Sequence, residues 1–368
     1  MGLLDYYKQF EGMPEEEVNE QLREKAAERR RRALARIDPI DLSQTTWPEL
    51  PPSTVVNAVT YVARRGLNRY LDPHAAELRA ELSHHLRVPP ARVVVGNGAA
   101  QLLGAAAEAL LEPGDELVTP WPSYPLFPVM ARRVRGHAVP VPGFGADAVL
   151  RAVNDRTRVV ALCNPNDPTG EWMGPDELRS LLEALPDRVA LLLDEALADF
   201  VDTEDRDATL SLLDDFSRVI VFRTFSKAWG LAGLRCGYAI GAPESEPLLE
   251  RLEPELGVSE LAQAGALEAL RTTQHVVARR IGEVKTERAR LRPRLAEMDR
   301  VDVVASQANV VWLGVEGMDG AELAARLERA KVIVASGARF GDASRIRAQI
   351  QNEAASDRLV DALTKALM

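Results

Sequence analysis

The chain is 368 residues long, with 46% hydrophobic residues and a formal net charge of −10. A chain of this length buries a large core and is expected to form two subdomains. The negative charge argues against nucleic acid as the main partner, and no apolar run reaches the roughly 18 residues of a membrane span.

Several features indicate the compartment. The N-terminus lacks the basic-then-apolar layout of a signal peptide, and the only two cysteines, Cys163 and Cys236, argue against a disulfide framework. The five histidines show no metal-ligand spacing. The sequence therefore predicts a cytoplasmic protein with no metal site and no membrane partner.

The first predicted elements are a helix and an irregular segment. Residues 14–36 form a charged pattern in which acidic residues lead and basic residues follow, as the helix dipole prefers. The run from Arg29 to Arg32 is interpreted as a solvated helix face, because glutamates precede it. Residues 37–52 are rich in proline and are predicted to be irregular.

The next motifs each follow a short apolar strand. Residues 92–112 read as strand, glycine turn and helix, and amides at a helix N-terminus favour anions. The strand at 116–119 leads into Trp121 and Tyr124, and the strand at 158–162 leads into the turn NPNDPTG.

An acidic pair, Asp194 and Glu195, follows the apolar strand at 189–193. Strand ends in α/β sheets face the binding crevice, so this pair is a candidate for the site.

The stretch from Arg218 to Tyr238 carries the most specific pattern. A β-branched strand at 219–222 is followed by Lys227, which two hydroxyl groups and Arg235 flank. This set suits a dianionic phosphate beside a reactive amine. After Tyr238 the sequence predicts helices over 243–298, and from Val301 a small α+β unit of roughly 70 residues.

Together these motifs resemble the fold-type I pyridoxal-phosphate (PLP) enzymes of aminotransferase class I/II, and the nearest branch looks like histidinol-phosphate aminotransferase. The resemblance covers roughly residues 37–368. It implies an α/β fold with a mainly parallel sheet in the large domain and a smaller α+β domain. The expected divisions are an N-terminal helix and access loop at 1–49, a large PLP-binding domain at 50–245 and a small domain at 246–368.

The resemblance also implies a role for each candidate site residue. Lys227 would hold PLP as a Schiff base and act as the catalytic base, and Asp194 would pair with the pyridinium nitrogen. Tyr124 would stack on the ring, and Arg347 would bind the substrate carboxylate. The cofactor phosphate would be held by Ala99, Ala100, Thr224, Ser226 and Arg235, and by Tyr70 of the other protomer.

Three of these assignments have competitors. Trp121 competes with Tyr124 for the ring, while Arg339 and Arg345 compete with Arg347 for the carboxylate. The cofactor's 3′-oxygen has two candidate partners, Asn166 and Asp167, because an aspartate stands directly before the PTG sequence. In relatives a tyrosine at the position of Leu197 also bonds this oxygen.

The implied function is a PLP-dependent aminotransferase that moves an amino group between an amino acid and a keto acid, in a homodimer with shared active sites. The alternatives are histidinol-phosphate aminotransferase itself and a lyase or decarboxylase of the threonine-phosphate decarboxylase type. Ala335 stands where relatives carry an arginine for the substrate phosphate, and residues 45–47 and Leu197 are further departures that the resemblance places in the same pocket. These departures favour an ordinary α-amino acid with a neutral side chain, aromatic or aliphatic.

Overall fold

The computed structural model describes residues 14–34, 38–202 and 207–368. The strands in chain order are β1 Ile40–Asp41, β2 Val93–Gly96, β3 Glu116–Trp121, β4 His137–Pro142, β5 Thr157–Cys163, β6 Ala190–Asp194, β7 Val219–Thr224, β8 Gly237–Gly241, β9 Val301–Val303, β10 Val310–Val315, β11 Val332–Ile333, β12 Ala335–Ser336 and β13 Arg345–Gln349. The α-helices are α1 Glu15–Leu34, α2 Ser53–Gly66, α3 Ala76–Leu86, α4 Ala99–Leu110, α5 Leu126–Arg133, α6 Ala146–Ala152, α7 Pro175–Ala184, α8 Glu246–Leu252, α9 Glu260–Thr272, α10 Gln274–Ala296, α11 Gly320–Arg329 and α12 Glu353–Leu367.

A seven-stranded sheet forms the centre of the fold, in the order β2-β8-β7-β6-β5-β3-β4. Strands β3 to β7 pair in parallel, whereas β8 runs antiparallel to both of its neighbours. Every residue of β6 and β7 is buried, because helices cover both faces of the sheet.

Side chains of the central strands alternate between two hydrophobic clusters, one on each face of the sheet. Val160, Leu162 and Leu191 belong to one cluster, while Val159 and Leu192 belong to the other. This period of two explains why these strands read as continuous apolar runs in the sequence.

The register of the central strands brings their carboxyl ends together. Cys163 at the end of β5 lies opposite Asp194 at the end of β6, and Asp194 lies opposite Phe222 of β7. Polar residues that follow these strands in the sequence therefore meet at one edge of the sheet.

A second sheet is built from the C-terminal part of the chain. It has four antiparallel strands in the order β12-β13-β10-β9, with α10, α11 and α12 packed nearby. The short strand β1 pairs in parallel with β11, and Ile40 lies opposite Val332. The segment before α2 is therefore attached to the C-terminal unit.

The predicted fold class is confirmed: a mainly parallel sheet with helices, and a smaller α+β unit. The strand predicted at 116–119 extends to Trp121, and the helical region at 243–298 divides into α8, α9 and α10. The predicted helix at 14–36 is described as far as Leu34, and its last two residues lie outside the described ranges. The domain boundaries stay a prediction. Within the described ranges, none of the helices combines the length and apolar character needed to cross a membrane.

Candidate active site

A cavity of about 200 Å³ opens at the carboxyl ends of β5, β6 and β7. Nine of the predicted site residues line it, namely Ala99, Ala100, Tyr124, Asp167, Asp194, Thr224, Ser226, Lys227 and Arg235. The other lining residues are Thr46, Cys163, Ala196, Leu197 and Ala232. Residues from widely separated motifs thus form one concave site.

The anion-binding end of the cavity combines a helix N-terminus with three side chains. Helix α4 begins directly after Gly98. Thr224 ends β7 and Ser226 lies in the loop that follows, with their hydroxyl oxygens 2.9 Å apart. Arg235 Nη1 lies 3.5 Å from Ser226 Oγ. Amides, hydroxyls and a guanidinium are the donors that a dianionic phosphate requires, so these residues fit the phosphate of PLP.

Gly98 is required at this end of the cavity for two reasons. Its φ of +83° lies in the region that favours glycine, and a Cβ there would lie 2.7 Å from Arg235 Nη2. The glycine therefore lets the guanidinium approach the start of α4, as the sequence pattern predicted for a glycine turn before a helix.

Lys227 faces the cavity from the loop after β7, and its Nζ donates a hydrogen bond to Thr45 Oγ1. Burial lowers the pKa of the Lys227 amine below its usual value, although the carboxylates of Asp167 and Asp194 act in the opposite direction. A lowered pKa increases the fraction of neutral amine, which is the nucleophilic form.

Arg280 anchors the loop that carries Lys227. It extends from α10, is 1% exposed, and donates from Nη1 to the carbonyl oxygens of Ala228 at 3.2 Å and Trp229 at 2.9 Å. Arg280 was not among the predicted site residues, because nothing in the charged pattern of α10 distinguishes it from the exposed Arg279 beside it.

Asp194 is the last residue of β6 and is 3% exposed. Burial raises the pKa of Asp194 to about 6, although the Ala196 amide, which donates to Oδ1 at 3.0 Å, favours the ionised form. A buried carboxylate that is held away from water is a suitable partner for a cationic ring nitrogen.

Glu195, the second acid of the pair, has a structural environment. Arg223 Nη2 lies 2.8 Å from its Oε2, and Thr209 donates to its Oε1 at 2.5 Å. Both carboxylate oxygens are therefore occupied within the fold, and of the two acids only Asp194 lines the cavity.

The turn NPNDPTG separates the roles of its two candidate residues. The Asn166 side-chain amide donates to the Pro122 carbonyl, after β3, at 3.0 Å and to Thr169 Oγ1, within the turn, at 2.9 Å, so both of its N–H groups already have acceptors in the protein. Asp167 lines the cavity, but a carboxylate accepts hydrogen bonds where an amide would donate. The structure thus brings Asp167, and not Asn166, to the site.

The three candidate arginines have different surroundings. Arg347 is buried and lies 2.6 Å from Asp167 through Nη1 and Oδ1. Arg345 pairs with Asp302 of β9. Arg339 is exposed, and its guanidinium carbon lies 4.6 Å from the centre of the Phe340 ring. The position of Arg347 next to Asp167 makes it the arginine best placed to reach the cavity.

Of the two candidate aromatic residues, Tyr124 lines the cavity. Burial and the neighbouring Asp194 carboxylate raise the pKa of Tyr124, so its phenol stays neutral. Trp121 packs instead against Gly341, where a Cβ would lie 1.8 Å from the indole nitrogen.

Tyr70 is fully exposed and does not line the cavity of its own chain. Its predicted contact lies across a subunit boundary, so this assignment stays a prediction.

The residues that differ from relatives were predicted to lie in one pocket, but the structure places only some of them there. Thr46 and Leu197 line the cavity, and Thr45 contacts Lys227. Trp47, however, is buried with the Arg280 guanidinium carbon 5.2 Å from its ring, so it belongs to the core. Ala335 pairs with Arg347 across β12 and β13 and packs in a small cluster with two aromatic side chains, Trp312 and Phe340.

Comparison with known proteins decides the family. The model of aminotransferase class I and II matches residues 37–363. The chain belongs to this family. Aminotransferases of this class are PLP-dependent, so the enzyme class and the cofactor that the motifs predicted are confirmed.

Individual relatives of this aminotransferase agree with the family match. It is 38% identical over 326 residues to the aromatic amino acid aminotransferase of Corynebacterium efficiens, covering 87% of this chain and 90% of the relative. It is 33% identical over 323 residues to histidinol-phosphate aminotransferase 1 of Nitrosococcus oceani, covering 86% of each. The crystal structure of histidinol-phosphate aminotransferase from Sinorhizobium meliloti in complex with pyridoxal-5′-phosphate matches with a TM-score of 0.79 and 27% identity, over 91% of this chain and 92% of that one.

Proposed function

We propose that this aminotransferase transfers the amino group of an aromatic amino acid to a keto acid, and that Lys227 carries the cofactor. One observation carries the proposal: Lys227, Asp194 and the phosphate-type donor set meet in a single cavity. The bound cofactor supplies an aldehyde for a lysine amine and a ring that withdraws electrons.

Each residue has a distinct task in this reaction. Lys227 holds the cofactor and then moves a proton with its Nζ, for which a lowered pKa is suitable. Asp194 holds a proton on the ring nitrogen by favouring its cationic form. Thr224, Ser226 and Arg235 orient the phosphate, and Arg347 orients the substrate carboxylate.

The choice of an aromatic substrate rests on the relatives and on the lining of the cavity. Relatives that are 35% to 38% identical are named aromatic amino acid aminotransferases. Leu197 adds an aliphatic surface to the cavity. Ala335 packs outside the cavity, but it stands where the resemblance places an arginine for a substrate phosphate, so this chain offers no cation at that position. Such a site suits an apolar side chain better than a phosphorylated one.

The substrate proposal is tested by comparing kcat/KM for phenylalanine, tyrosine, leucine and histidinol phosphate, with one keto acid as acceptor. We expect the aromatic amino acids to exceed histidinol phosphate by at least about tenfold, since a lost charge-assisted bond costs roughly one to two decades. Histidinol-phosphate aminotransferase is the second candidate, because a relative of that name is 33% identical. A clear preference for histidinol phosphate would establish it instead.

The role of Lys227 is tested by chemical trapping. Borohydride treatment of the holoenzyme should fix the cofactor to the peptide that contains Lys227, as mass spectrometry would show. The Lys227→Ala variant should bind cofactor without being labelled and should lose transamination. Labelling at another lysine, or full turnover of the variant, would contradict the assignment.

We also propose a cytoplasmic homodimer with shared active sites. Two unpaired, buried cysteines support the reducing compartment. Several large apolar side chains that are near one another in the sequence are exposed, namely Leu50, Val56, Tyr61, Leu67 and Tyr70. Such exposure suits a surface that a second copy of the chain covers.

The dimer is tested by sedimentation and by hybrid formation. A chain carrying Tyr70→Phe is mixed with a chain carrying Lys227→Ala, and cofactor affinity is measured for the hybrid. If the sites are shared, both substitutions fall in one site of the hybrid, and we expect the other site, with Lys227 and an unchanged Tyr70, to bind cofactor as the wild type does. A fully active monomer at assay concentration would refute the shared site.

A further inference from the structure

The surroundings of Arg347 show a feature that the proposed function does not use. Its Nη1 lies 2.6 Å and 2.8 Å from the two carboxylate oxygens of Asp167, and its Nη2 donates to the Ser43 carbonyl at 2.7 Å. The buried Nε has no hydrogen-bond partner within the part of the chain that the structure describes. The group expected to bind a substrate carboxylate thus already holds a carboxylate of the protein.

Asp167 is held in this position by its turn. Its backbone amide donates to Cys163 Sγ at 3.4 Å, and the preceding Asn166 accepts a hydrogen bond from Ser123 at 2.6 Å. The residue Asp167 is 8% exposed and Arg347 is 3% exposed, so solvent screens the pair only weakly. Asp167 also faces the cavity that contains Lys227.

A buried ion pair constrains which ligand can enter it. A ligand that brings only a carboxylate to Arg347 leaves Asp167 with an unpaired buried charge, which is strongly unfavourable. A ligand that brings only an ammonium group leaves Arg347 unpaired in the same way. An α-amino acid brings both groups on adjacent atoms, so it can replace the internal pair without leaving a net charge.

We propose that Asp167 and Arg347 form a zwitterion-binding pair, in which Arg347 takes the carboxylate and Asp167 takes the ammonium group of the incoming α-amino acid. This proposal rests on the proposed function, because it places the substrate carboxylate at Arg347. Asp167 is thereby a specificity-determining residue, since it favours amino acids over carboxylates that lack the amine. It also excludes amines that lack a carboxylate.

The experiment uses holoenzyme in which borohydride has fixed the cofactor, so that ligands bind without further reaction. Calorimetry gives the dissociation constants of L-phenylalanine, a zwitterion, and 3-phenylpropionate, a carboxylate of similar shape. We expect the wild-type protein to bind L-phenylalanine at least about tenfold more tightly. Whether borohydride fixes the cofactor to Lys227 tests the proposed function. The ligand affinities of the fixed enzyme test the zwitterion-binding pair, so the two proposals can fail separately.

The Asp167→Asn variant should bind 3-phenylpropionate about tenfold more tightly and lose most of its preference for the zwitterion. Asp302→Asn is the matched control, because it removes the aspartate that pairs with Arg345 on the same strand as Arg347. This control should keep the wild-type preference. Equal wild-type affinity for the two ligands would overturn the proposal, even if Asp167→Asn does not fold. The proposal would also be overturned if Asp167→Asn changed the affinities for L-phenylalanine and 3-phenylpropionate by the same factor.

Discussion

The replacement Asp194→Asn gives a quantitative test of how the fold tunes its active site. For the polypeptide alone, burial raises the pKa of Asp194 from 3.8 to about 6. The folded chain therefore keeps this proton at pH values where the unfolded chain has lost it. The stability that results is complete below pH 3.8 and is lost as the pH rises through about 6.

The size of the effect follows from the interval between the two pKa values. At about 1.4 kcal/mol for each pH unit, the interval from 3.8 to about 6 corresponds to about 3 kcal/mol. An asparagine has the same shape and does not titrate. The wild type has already lost part of this stability at pH 4, so the free energy of unfolding of Asp194→Asn relative to wild type should increase by about 2.5 kcal/mol between pH 4 and pH 7.

Urea denaturation of the two apoenzymes, followed by circular dichroism at each pH, measures this difference. Asp361→Asn is the control for the same chemical change, because Asp361 is an exposed residue of α12 that lies outside the cavity, and it should not reproduce the result for Asp194→Asn. A difference between Asp194→Asn and wild type that stays flat from pH 4 to pH 7 would refute the reasoning. The same variant should bind cofactor more weakly and turn over far more slowly, because it lacks the carboxylate for the ring cation.

Two further substitutions test the architecture around the cofactor. Gly98→Ala should weaken cofactor binding by about tenfold or more, because the added Cβ would meet the Arg235 guanidinium and the φ of this residue is +83°. Fluorescence titration measures the affinity. The control is Gly233→Ala, whose added Cβ would meet no atom within 4 Å and which should bind cofactor normally. Arg280→Gln should lower stability by about 1.5–3 kcal/mol, since two carbonyls of the lysine loop lose a charged donor. Calorimetric melting checks this against Arg279→Gln, which removes an exposed arginine, and equal melting temperatures would contradict the role of Arg280.

Local motifs made much of the site predictable. Lys227, Ser226 and Arg235 lie within one strand–loop segment, so their neighbourhood follows from the short distance between them along the chain. The position of Asp194 was equally predictable from the sequence, because the end of a buried parallel strand has a known position relative to the crevice. The same logic gave the order of strands and helices.

Contacts between segments that are distant in the sequence were harder to predict. Asp167 and Arg347 are 180 residues apart, and both Arg339 and Arg345 offered the same chemistry nearby. The choice among them depends on strand register, since Arg347 lies opposite Ala335 with its side chain toward the turn at Asp167. Trp47 was misplaced for a similar reason: its partner, Arg280, comes from a helix more than 200 residues later.

The segment that precedes α2 has a consequence for how this enzyme can be recombined with its relatives. Three of its backbone carbonyls accept hydrogen bonds from β13: Leu42 from the Gln349 backbone amide at 2.8 Å, Ser43 from Arg347 Nη2 at 2.7 Å, and Thr46 from the Gln349 side-chain amide at 2.6 Å. The same segment contacts Lys227 through Thr45. A chimera that exchanges residues 38–47 alone would separate parts that fit together, so functional chimeras require the N-terminal segment and β13 from the same parent.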